Sequence, residues 1–282
     1  MSTKLEHVSD TALLVAAARA MESERADALV RDPFAARLAG EKGMALTRNI
    51  GHFHWMTFGI GLRSKFIDEM IMPRVESNAI GCVLNLGAGL DTRPWRLELP
   101  SNFRWIEVDF PEMLEYKAEA LRGETPKCRL ERASADLNNA EERERVLNLA
   151  GGSEEATLLL TEGLLMYLPA ESVRALGRDT YGRMNFKTWI LDISSPQLMS
   201  MVHGDGARDL GNLRADTHLE SGGILQAVEE TGWVKTEGKT YMKDGQPYGA
   251  ERVRRDGIQI DPSRPRPPED DPAGVWLFQR SA

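Results

Sequence analysis

The stretch that decides the fold runs from Val83 to Arg93 as VLNLGAGLDTR and continues from Arg104 to Asp109 as RWIEVD. It predicts a short apolar strand, a glycine turn, the start of a helix, and a second strand that ends in an acid. In the nucleoside-binding half of a doubly wound α/β fold, such glycines let the backbone approach a ligand, and the acid accepts hydrogen bonds from ribose hydroxyls. The spacing therefore predicts a nucleoside site formed by Gly87, Ala88, Gly89 and Asp109.

The turn differs from the one that binds dinucleotides. In that turn a third glycine follows three residues after the second and lets the helix approach a pyrophosphate, whereas here Thr92 takes that place. Asp91 would add negative charge where phosphates would lie. A cofactor that carries an amino acid and a sulfonium cation suits this turn better than a pyrophosphate does. The alternative is a tight turn in a fold that binds nothing.

Three stretches, in the same order along the chain, resemble the S-adenosylmethionine-dependent methyltransferases of the leucine carboxyl methyltransferase family, including its bacterial branch linked to O-methylation of polyketides and other natural products. They are Leu84 to Glu112, the segment from SDTAL to RDPFAARL at residues 9–38, and TEGLLMYL at residues 161–168. The resemblance covers residues 5–195 well and the remainder loosely. It implies S-adenosyl-L-methionine as the cofactor and methyl transfer to an oxygen.

Strands alternate with helices after residue 76, which favours an α/β fold with a doubly wound, mostly parallel sheet covered by helices on both faces. With the resemblance, we expect a Rossmann-like sheet of seven strands. Residues 1–75 are expected to form an N-terminal helical cap or lid, and residues 76–282 the cofactor-binding domain, with a substrate-side insertion at about 194–222. The later strands are expected at Leu130–Ala133, Leu158–Thr161, Thr188–Ile193, Trp233–Thr240 and Gly274–Arg280.

Within the cap, three local features are predicted from residue type. Ser9 or Asp10 is expected to cap the first helix, and Pro33 to begin the next one after Asp32. The aromatic segment Arg48–Gly61 is expected to be a loop or short helix. It would act either as a lid or as an anchor that packs the cap on the core.

Ligands of a doubly wound sheet bind beyond the carboxyl ends of the strands, and polar residues follow four strands here. The resemblance implies that Asp136 accepts a hydrogen bond from the adenine amino group, with the backbone at Leu137 beside the ring, and that Glu162 lies near the ammonium or sulfonium group. The alternatives are that Asp136 caps a helix and that Glu162 forms a salt bridge with Arg93 or Arg63, because an unpaired buried carboxylate is costly.

The resemblance also implies roles for Arg63 and Tyr167. Arg63 would contact the carboxylate of the cofactor or substrate, which its planar fork suits, unless it forms a surface ion pair with Asp68 or Glu69. Tyr167 would hydrogen-bond the accepting oxygen near the transferred methyl group, unless it packs with its hydroxyl in water. Arg19 matches a family arginine whose role could be only to tie a helix to the sheet.

The acceptor class follows from acid–base chemistry. A carboxylate is ionised at neutral pH and needs no general base, so a carboxylate is the favoured acceptor. The resemblance implies that it belongs to a small molecule such as a polyketide. A hydroxyl or phenol acceptor would need a base such as His52, His54, His203 or His218. The sequence also allows a non-catalytic nucleoside-binding module or a nicotinamide-dependent oxidoreductase. The missing third glycine and the absence of a Tyr-x-x-x-Lys pair count against the oxidoreductase.

Composition limits the partners and the location. The chain has 282 residues and a formal net charge of −8, which disfavours nucleic acid as a partner. Its two cysteines, Cys82 and Cys128, provide neither a disulfide framework nor a zinc cluster, so no metal is expected. No apolar run suits a bilayer, and the first residues lack the apolar segment of a signal peptide. We therefore expect a cytoplasmic protein with no membrane partner. We expect a monomer or a homodimer, and the resemblance implies a role in secondary metabolism.

Overall fold

A seven-stranded sheet with the order β3-β2-β1-β4-β5-β7-β6 forms the centre of the molecule. The computed structural model describes residues 2–48, 53–151, 155–194, 221–257 and 268–281. Neighbouring strands from β3 through β5 pair in parallel, and β7 pairs antiparallel with both β5 and β6. The strands are β1 (Cys82–Leu86), β2 (Arg104–Asp109), β3 (Arg129–Ser134), β4 (Thr157–Thr161), β5 (Phe186–Ile193), β6 (Trp233–Thr240) and β7 (Gly274–Arg280). The predicted fold class is confirmed.

Helices cover both faces of this sheet. They are α1 (Ser2–Ser23), α2 (Ala35–Thr47), α3 (Phe53–Glu76), α4 (Arg93–Arg96), α5 (Pro111–Ala120), α6 (Ala140–Gly151), α7 (Ala170–Tyr181), α8 (Ser221–Glu229) and α9 (Gln246–Asp256), with a 3₁₀ turn at Leu165–Tyr167. Side chains alternate between the faces of a strand. Leu84 of β1 accordingly packs with residues of α6, α7 and α8, whereas Val83 packs with residues of α3.

The carboxyl ends of β1, β2, β4 and β5 lie at one edge of the sheet because these strands run in parallel. Since β7 reverses direction between β5 and β6, the end of β6 at Thr240 lies at that same edge, where Gly274 pairs with both Ile193 and Thr240. The site residues predicted from strand ends are therefore collected at this edge. Among the described helices, none is both long enough and apolar enough to cross a membrane.

Several predicted boundaries in the cap are wrong. Because α1 begins at Ser2, positions 9 and 10 lie inside a helix and do not cap it. The next helix begins at Ala35, two residues after Pro33, although the Asp32 carboxylate accepts the Phe34 N–H at 3.1 Å. The proline restricts the chain before the helix but does not start it.

The aromatic segment also differs from its prediction. Residues 53–61 form the first turns of the long helix α3, because Phe53 packs against Leu14 and Ala18 of α1 and this contact stabilises helical structure. The segment is therefore a helix and not a loop. Phe58 packs against the core cluster that includes Val83, which favours the anchoring interpretation. Helix α9, which lies between β6 and β7, was not predicted. It has a proline in its first turn and ends at Gly257 with φ of +63°.

Other predictions stay predictions. The division at residue 75, the lid, the oligomeric state and the cytoplasmic location are not tested by this structure. The insertion at 194–222 lies almost wholly outside the described residues, as do His52, His203 and His218.

Candidate functional site

The glycine turn after β1 has the conformation that the sequence predicts. Gly87 and Gly89 have φ of +66° and +43°, values that side chains disfavour. The amides of Gly87 and Ala88 both donate to the Val108 carbonyl oxygen, at 2.9 and 3.0 Å, which joins the turn to β2. Apart from its chain neighbours, a Cβ on Gly89 would meet only the Gly87 carbonyl oxygen, at 3.9 Å, so the turn is uncrowded at that position.

Asp109 closes this turn from the end of β2. Its Oδ2 accepts the Gly89 N–H at 2.6 Å, and its Oδ1 accepts the Phe110 N–H at 2.8 Å. Burial raises the pKa of Asp109 above its usual range, although both amide donors oppose that rise. Each carboxylate oxygen has two acceptor sites, so each can still accept one hydrogen bond. The carboxylate is thus suited to a pair of adjacent hydroxyl groups.

The negative charge that Asp91 adds at the turn is paired with neighbouring side chains. Its Oδ2 accepts hydrogen bonds from Arg93 Nη1 at 3.0 Å and from Asn85 Nδ2 at 2.9 Å. Burial opposes ionisation here, but Arg93 holds the pKa of Asp91 well below its usual range. The argument against a pyrophosphate therefore depends on the missing glycine more than on this acid.

Glu162 lies directly after β4 and is paired with two arginines. Arg93 Nη1 donates to Oε2 at 2.6 Å, and Arg63 Nε lies 2.8 Å from Oε1. Burial acts to raise the pKa of Glu162, but these arginines lower it below its usual range. The salt-bridge alternative is thus observed with both candidate partners at once, and Glu162 is a charged carboxylate before any ligand binds.

The alternative role of Arg63, a surface ion pair with Asp68 or Glu69, is wrong. Asp68 instead accepts from Arg93 Nε at 2.7 Å and from Arg96 Nη1 at 2.5 Å. Two side chains five positions apart in a helix point about 140° away from each other around its axis. Asp68 and Arg63 therefore lie on different sides of α3. The second partner of Arg63 is Asp192, whose Oδ2 lies 3.2 Å from Nη1.

Together these side chains form a buried ionic network in which four carboxylates face three guanidinium groups. One formal negative charge is therefore in excess, which favours a cationic ligand group at this edge. Its members are Arg63, Asp68, Asp91, Arg93, Arg96, Glu162 and Asp192.

Two residues of the site were missed in the sequence. Asp192 is the lone acid in the apolar run WILDI of β5, and this isolation is the signal that could have identified it. Tyr241 directly follows β6, and its ring stacks on Phe66 at 6.3 Å between centroids. Burial raises the pKa of Tyr241, and the charge of Asp192 adds to that rise. Both residues extend the site toward β5 and β6.

Tyr167 lies in the 3₁₀ turn after Glu162 and is half-buried. Burial raises the pKa of its phenol, while the charge of Arg63 opposes that rise. Its hydroxyl makes no hydrogen bond with any residue that the structure describes. The hydroxyl of Tyr167 is therefore a donor available to a ligand.

Asp136 follows β3 but does not cap helix α6. That position belongs to Asn139, whose Oδ1 accepts the Glu141 N–H at 2.9 Å. Asp136 Oδ1 instead accepts the Asn138 N–H at 2.9 Å in a local turn, and Leu137 is buried in the core beneath it. Within the described residues, Asp136 Oδ2 has no hydrogen-bond donor and can accept one from a ligand.

Arg19 connects the cap to the glycine turn, which agrees with the role of a tie between a helix and the sheet. Its Nη2 donates to the Leu90 carbonyl oxygen at 2.6 Å and its Nε to Asp32 at 2.9 Å. His54, a candidate base, lies exposed on α3 beside the ring of Trp55. No group of three His, Cys, Asp or Glu side chains suited to a metal is found in the part of the chain that the structure describes.

Comparison with known sequences identifies relatives over the part of the chain that holds most of these site residues. The profile of the leucine carboxyl methyltransferase family matches residues 12–180. A Streptomyces coelicolor protein, provisionally named an S-adenosyl-L-methionine-dependent methyltransferase, is 37% identical over 179 residues, which cover 59% of this chain and 62% of that protein. A Frankia alni protein with the same provisional name is 36% identical over 176 residues, covering 59% and 61%. The match thus spans about three fifths of the length of these curated relatives.

Solved structures with the same fold extend over nearly the whole chain. A DUF574 family protein from Streptomyces avermitilis superimposes with a TM-score of 0.55, covers 94% of this chain and 97% of its own, and is 14% identical. A Thermobifida fusca protein, provisionally named a methyltransferase, has a TM-score of 0.51, with 88% and 93% coverage and 15% identity. At these identities the likeness shows the fold alone.

Proposed function

Because the chain belongs to the leucine carboxyl methyltransferase family, we propose that it is an S-adenosyl-L-methionine-dependent methyltransferase that methylates an oxygen of a small molecule, with a carboxylate as the preferred acceptor. The observation that carries this proposal is the turn Gly87–Gly89 closed onto Asp109 beside a buried network with one negative charge in excess. A polyketide or similar natural product as acceptor rests on the resemblance of the sequence alone.

The adenosine half of the cofactor fits the β1 to β3 side of the edge. Asp109 has one acceptor site left on each oxygen, which suits the two ribose hydroxyls. Asp136 has an acceptor oxygen for the adenine amino group, and the backbone at Leu137 would face the ring. Because the turn is uncrowded at Gly89, the ribose and the sulfur could approach the backbone there.

The amino-acid and sulfonium half fits the β4 to β5 side. Glu162 supplies negative charge toward the cationic groups, and its pairing with Arg63 and Arg93 keeps it ionised. Arg63 Nη2 makes no hydrogen bond with any described residue, so it can donate to a carboxylate. When bound, the cofactor supplies a methyl group made electrophilic by its attachment to a positively charged sulfur.

The chain's own residues would then act mainly by positioning and by excluding water. Tyr167 would donate a hydrogen bond to the acceptor and hold it in line with the methyl group, and Arg63 would contribute positive charge near an anionic acceptor. A carboxylate acceptor loses no proton in the reaction, so no residue has to serve as a base. This fits a site where His54, one of the candidate bases, is exposed on the cap.

Thermal unfolding with S-adenosylhomocysteine, and in parallel with NAD and NADP, tests the proposal. A ligand at 100 times its dissociation constant adds about 2.7 kcal/mol of stability. We expect a rise in melting temperature with S-adenosylhomocysteine alone, and methyl transfer from the labelled cofactor to members of a panel of carboxylic acids. A rise with NAD, or no rise with any of the three, would contradict the proposal. Transfer only to phenols or alcohols would overturn the carboxylate preference.

A further inference from the structure

We propose that Asp192 is a positioning residue of this site, which holds Arg63 and the segment Gly163–Tyr167 in the arrangement that binds the amino-acid end of the cofactor. The inference rests on the proposed function, because that function places the cofactor carboxylate at Arg63. Asp192 lies at the carboxyl end of β5 and acts on the cofactor only through the groups that it orients.

The first contact of Asp192 fixes the loop after β4. Its Oδ1 accepts the Gly163 N–H at 2.5 Å, where Gly163 has φ of +64°. The next residue, Leu164, packs directly on the glycine turn, since a Cβ on Gly87 would lie 2.9 Å from Leu164 Cδ1. Asp192 therefore holds the start of the loop that carries Tyr167 and that contacts the turn at Gly87.

The second contact fixes the arginine. Asp192 Oδ2 lies 3.2 Å from Arg63 Nη1, while Glu162 lies on the Nε side of the same guanidinium group. A planar guanidinium held by two carboxylates has a defined orientation, which leaves Nη2 as the donor available to a ligand. With Asp192 neutral or displaced, Glu162 alone would hold Arg63, and the plane of the guanidinium could rotate.

The surroundings of Asp192 argue against a role in stability alone. Its side chain is 1% exposed, and its neighbours Leu191 and Ile193 belong to the apolar core. Burying a carboxylate is costly, and a buried ion pair often contributes no more stability than apolar residues of similar volume. Its position between two segments of the site indicates that the carboxylate serves to orient them.

The decisive comparison uses two ligands that share adenosine and sulfur. S-adenosylhomocysteine carries the amino-acid end, and 5′-methylthioadenosine lacks it. Asp192→Asn keeps the shape of the side chain and the acceptor for Gly163 but removes the charge that faces Arg63. We expect S-adenosylhomocysteine to bind about tenfold more weakly, which is the scale of coupling energies within one salt-bridge network. The affinity for 5′-methylthioadenosine should change by less than about twofold. Both affinities are measured by titration calorimetry.

A matched control is Asp179→Asn. Asp179 accepts from Arg143 Nε at 2.8 Å between α7 and α6, which is an aspartate–arginine pair outside the network. This variant should bind both ligands as the unmodified chain does. If Asp192→Asn does not fold, Asp192→Glu keeps the charge but lengthens the side chain by one methylene, and the same selective loss of S-adenosylhomocysteine binding is expected.

A double-mutant cycle with Arg63→Lys tests the route of the effect. Lysine cannot bridge two carboxylates as the guanidinium does, so Asp192→Asn should have little further effect on S-adenosylhomocysteine binding in that background. Three results would overturn the positioning role of Asp192 and leave the proposed function standing. They are an equal loss of affinity for both ligands, an unchanged affinity for S-adenosylhomocysteine, and effects of the two substitutions that simply add. Failure of the unmodified chain to bind either ligand would overturn the proposed function, and this inference with it.

Discussion

At the scale of single residues, Asp109 connects the sequence to the proposed chemistry most directly. Its two oxygens accept the amides of Gly89 and Phe110, and their remaining acceptor sites match two hydroxyl donors. We predict that Asp109→Ala weakens binding of S-adenosylhomocysteine by about 2 to 4 kcal/mol, because two hydrogen bonds to a charged acceptor are lost. Calorimetric titration measures the loss.

The control for that variant is Glu112→Ala, which removes an exposed carboxylate of α5 that lies three positions after Asp109 in the sequence. It should leave the affinity unchanged. A folded Asp109→Ala variant with the affinity of the unmodified chain would show that the ribose lies elsewhere.

The raised pKa of Asp109 gives a prediction about pH. Burial raises this pKa, so the carboxyl group takes up its proton at a higher pH than an exposed aspartate does. Hydroxyl donors favour the ionised form, so ligand affinity should be constant above this pKa and should fall as the pH decreases through it. Titrations with 5′-methylthioadenosine between neutral pH and the onset of acid unfolding measure the effect without the amino-acid end of the ligand.

The Asp109→Asn variant decides whether this dependence belongs to Asp109. An amide does not titrate, so the variant should bind weakly and with an affinity that no longer changes over the same pH range. A variant that retained the original pH profile would assign the dependence to another group.

At the scale of elements, the glycine turn and the loop after β4 depend on each other. Alanine at Gly87 would adopt φ of +66° and would bring its Cβ to 2.9 Å from Leu164 Cδ1. The left-handed conformation costs about 1 to 2 kcal/mol in itself, and the contact adds to that cost. We predict that Gly87→Ala lowers the free energy of unfolding, measured with urea, by more than the conformational cost.

Gly257→Ala is the matched control for the turn. Gly257 has φ of +63°, and a Cβ at this position would find no described atom within 4 Å, so only the conformational cost applies. The difference between the two variants isolates the contact with Leu164. Equal losses of stability would mean that Leu164 moves away without cost and that the loop and the turn are independent.

Elements built from local patterns were predictable from the sequence, and contacts between distant residues were not. The apolar runs of β1, β4 and β5, with the glycine turn and the acid after β2, indicated the strands and the edge where the site lies. The start of α3 was missed because Phe53 is held by α1, a contact that periodicity does not reveal.

The candidate site shows the same limit. Glu162 was recognisable because a carboxylate directly after a buried strand needs a partner. Which arginines provide it depends on how α3 and α4 approach the sheet, and 69 residues separate Glu162 from Arg93 along the chain. Asp192 and Tyr241 join the site only because β5 and β6 end at the same edge of the sheet, and their contacts with Arg63 and Phe66 link separate elements.

At the scale of the whole molecule, a buried ion pair joins two helices whose paired residues lie 230 positions apart in the sequence. Arg252 of α9 donates through both Nη atoms to Glu22 of α1, at 2.8 Å each, and its guanidinium lies 4.9 Å from the ring centre of Phe58 in α3. Glu22 also accepts the Leu29 N–H at 2.8 Å. Helix α9 is therefore attached to the N-terminal helices by charge as well as by packing.

We predict that Arg252→Met destabilises the protein by about 3 to 5 kcal/mol, because it leaves the Glu22 carboxylate buried without its cation. Urea unfolding measures the loss. Arg254→Met is the control, since Arg254 pairs with Glu251 on the exposed face of the same helix and such pairs contribute about 1 kcal/mol at most.

The double variant Arg252→Met with Glu22→Gln removes both charges of the buried pair. Glutamine can still accept the Leu29 N–H, so the double variant should recover part of the lost stability. A double variant as unstable as Arg252→Met would mean that packing of Arg252 on Phe58, and not charge, attaches α9 to the N-terminal helices.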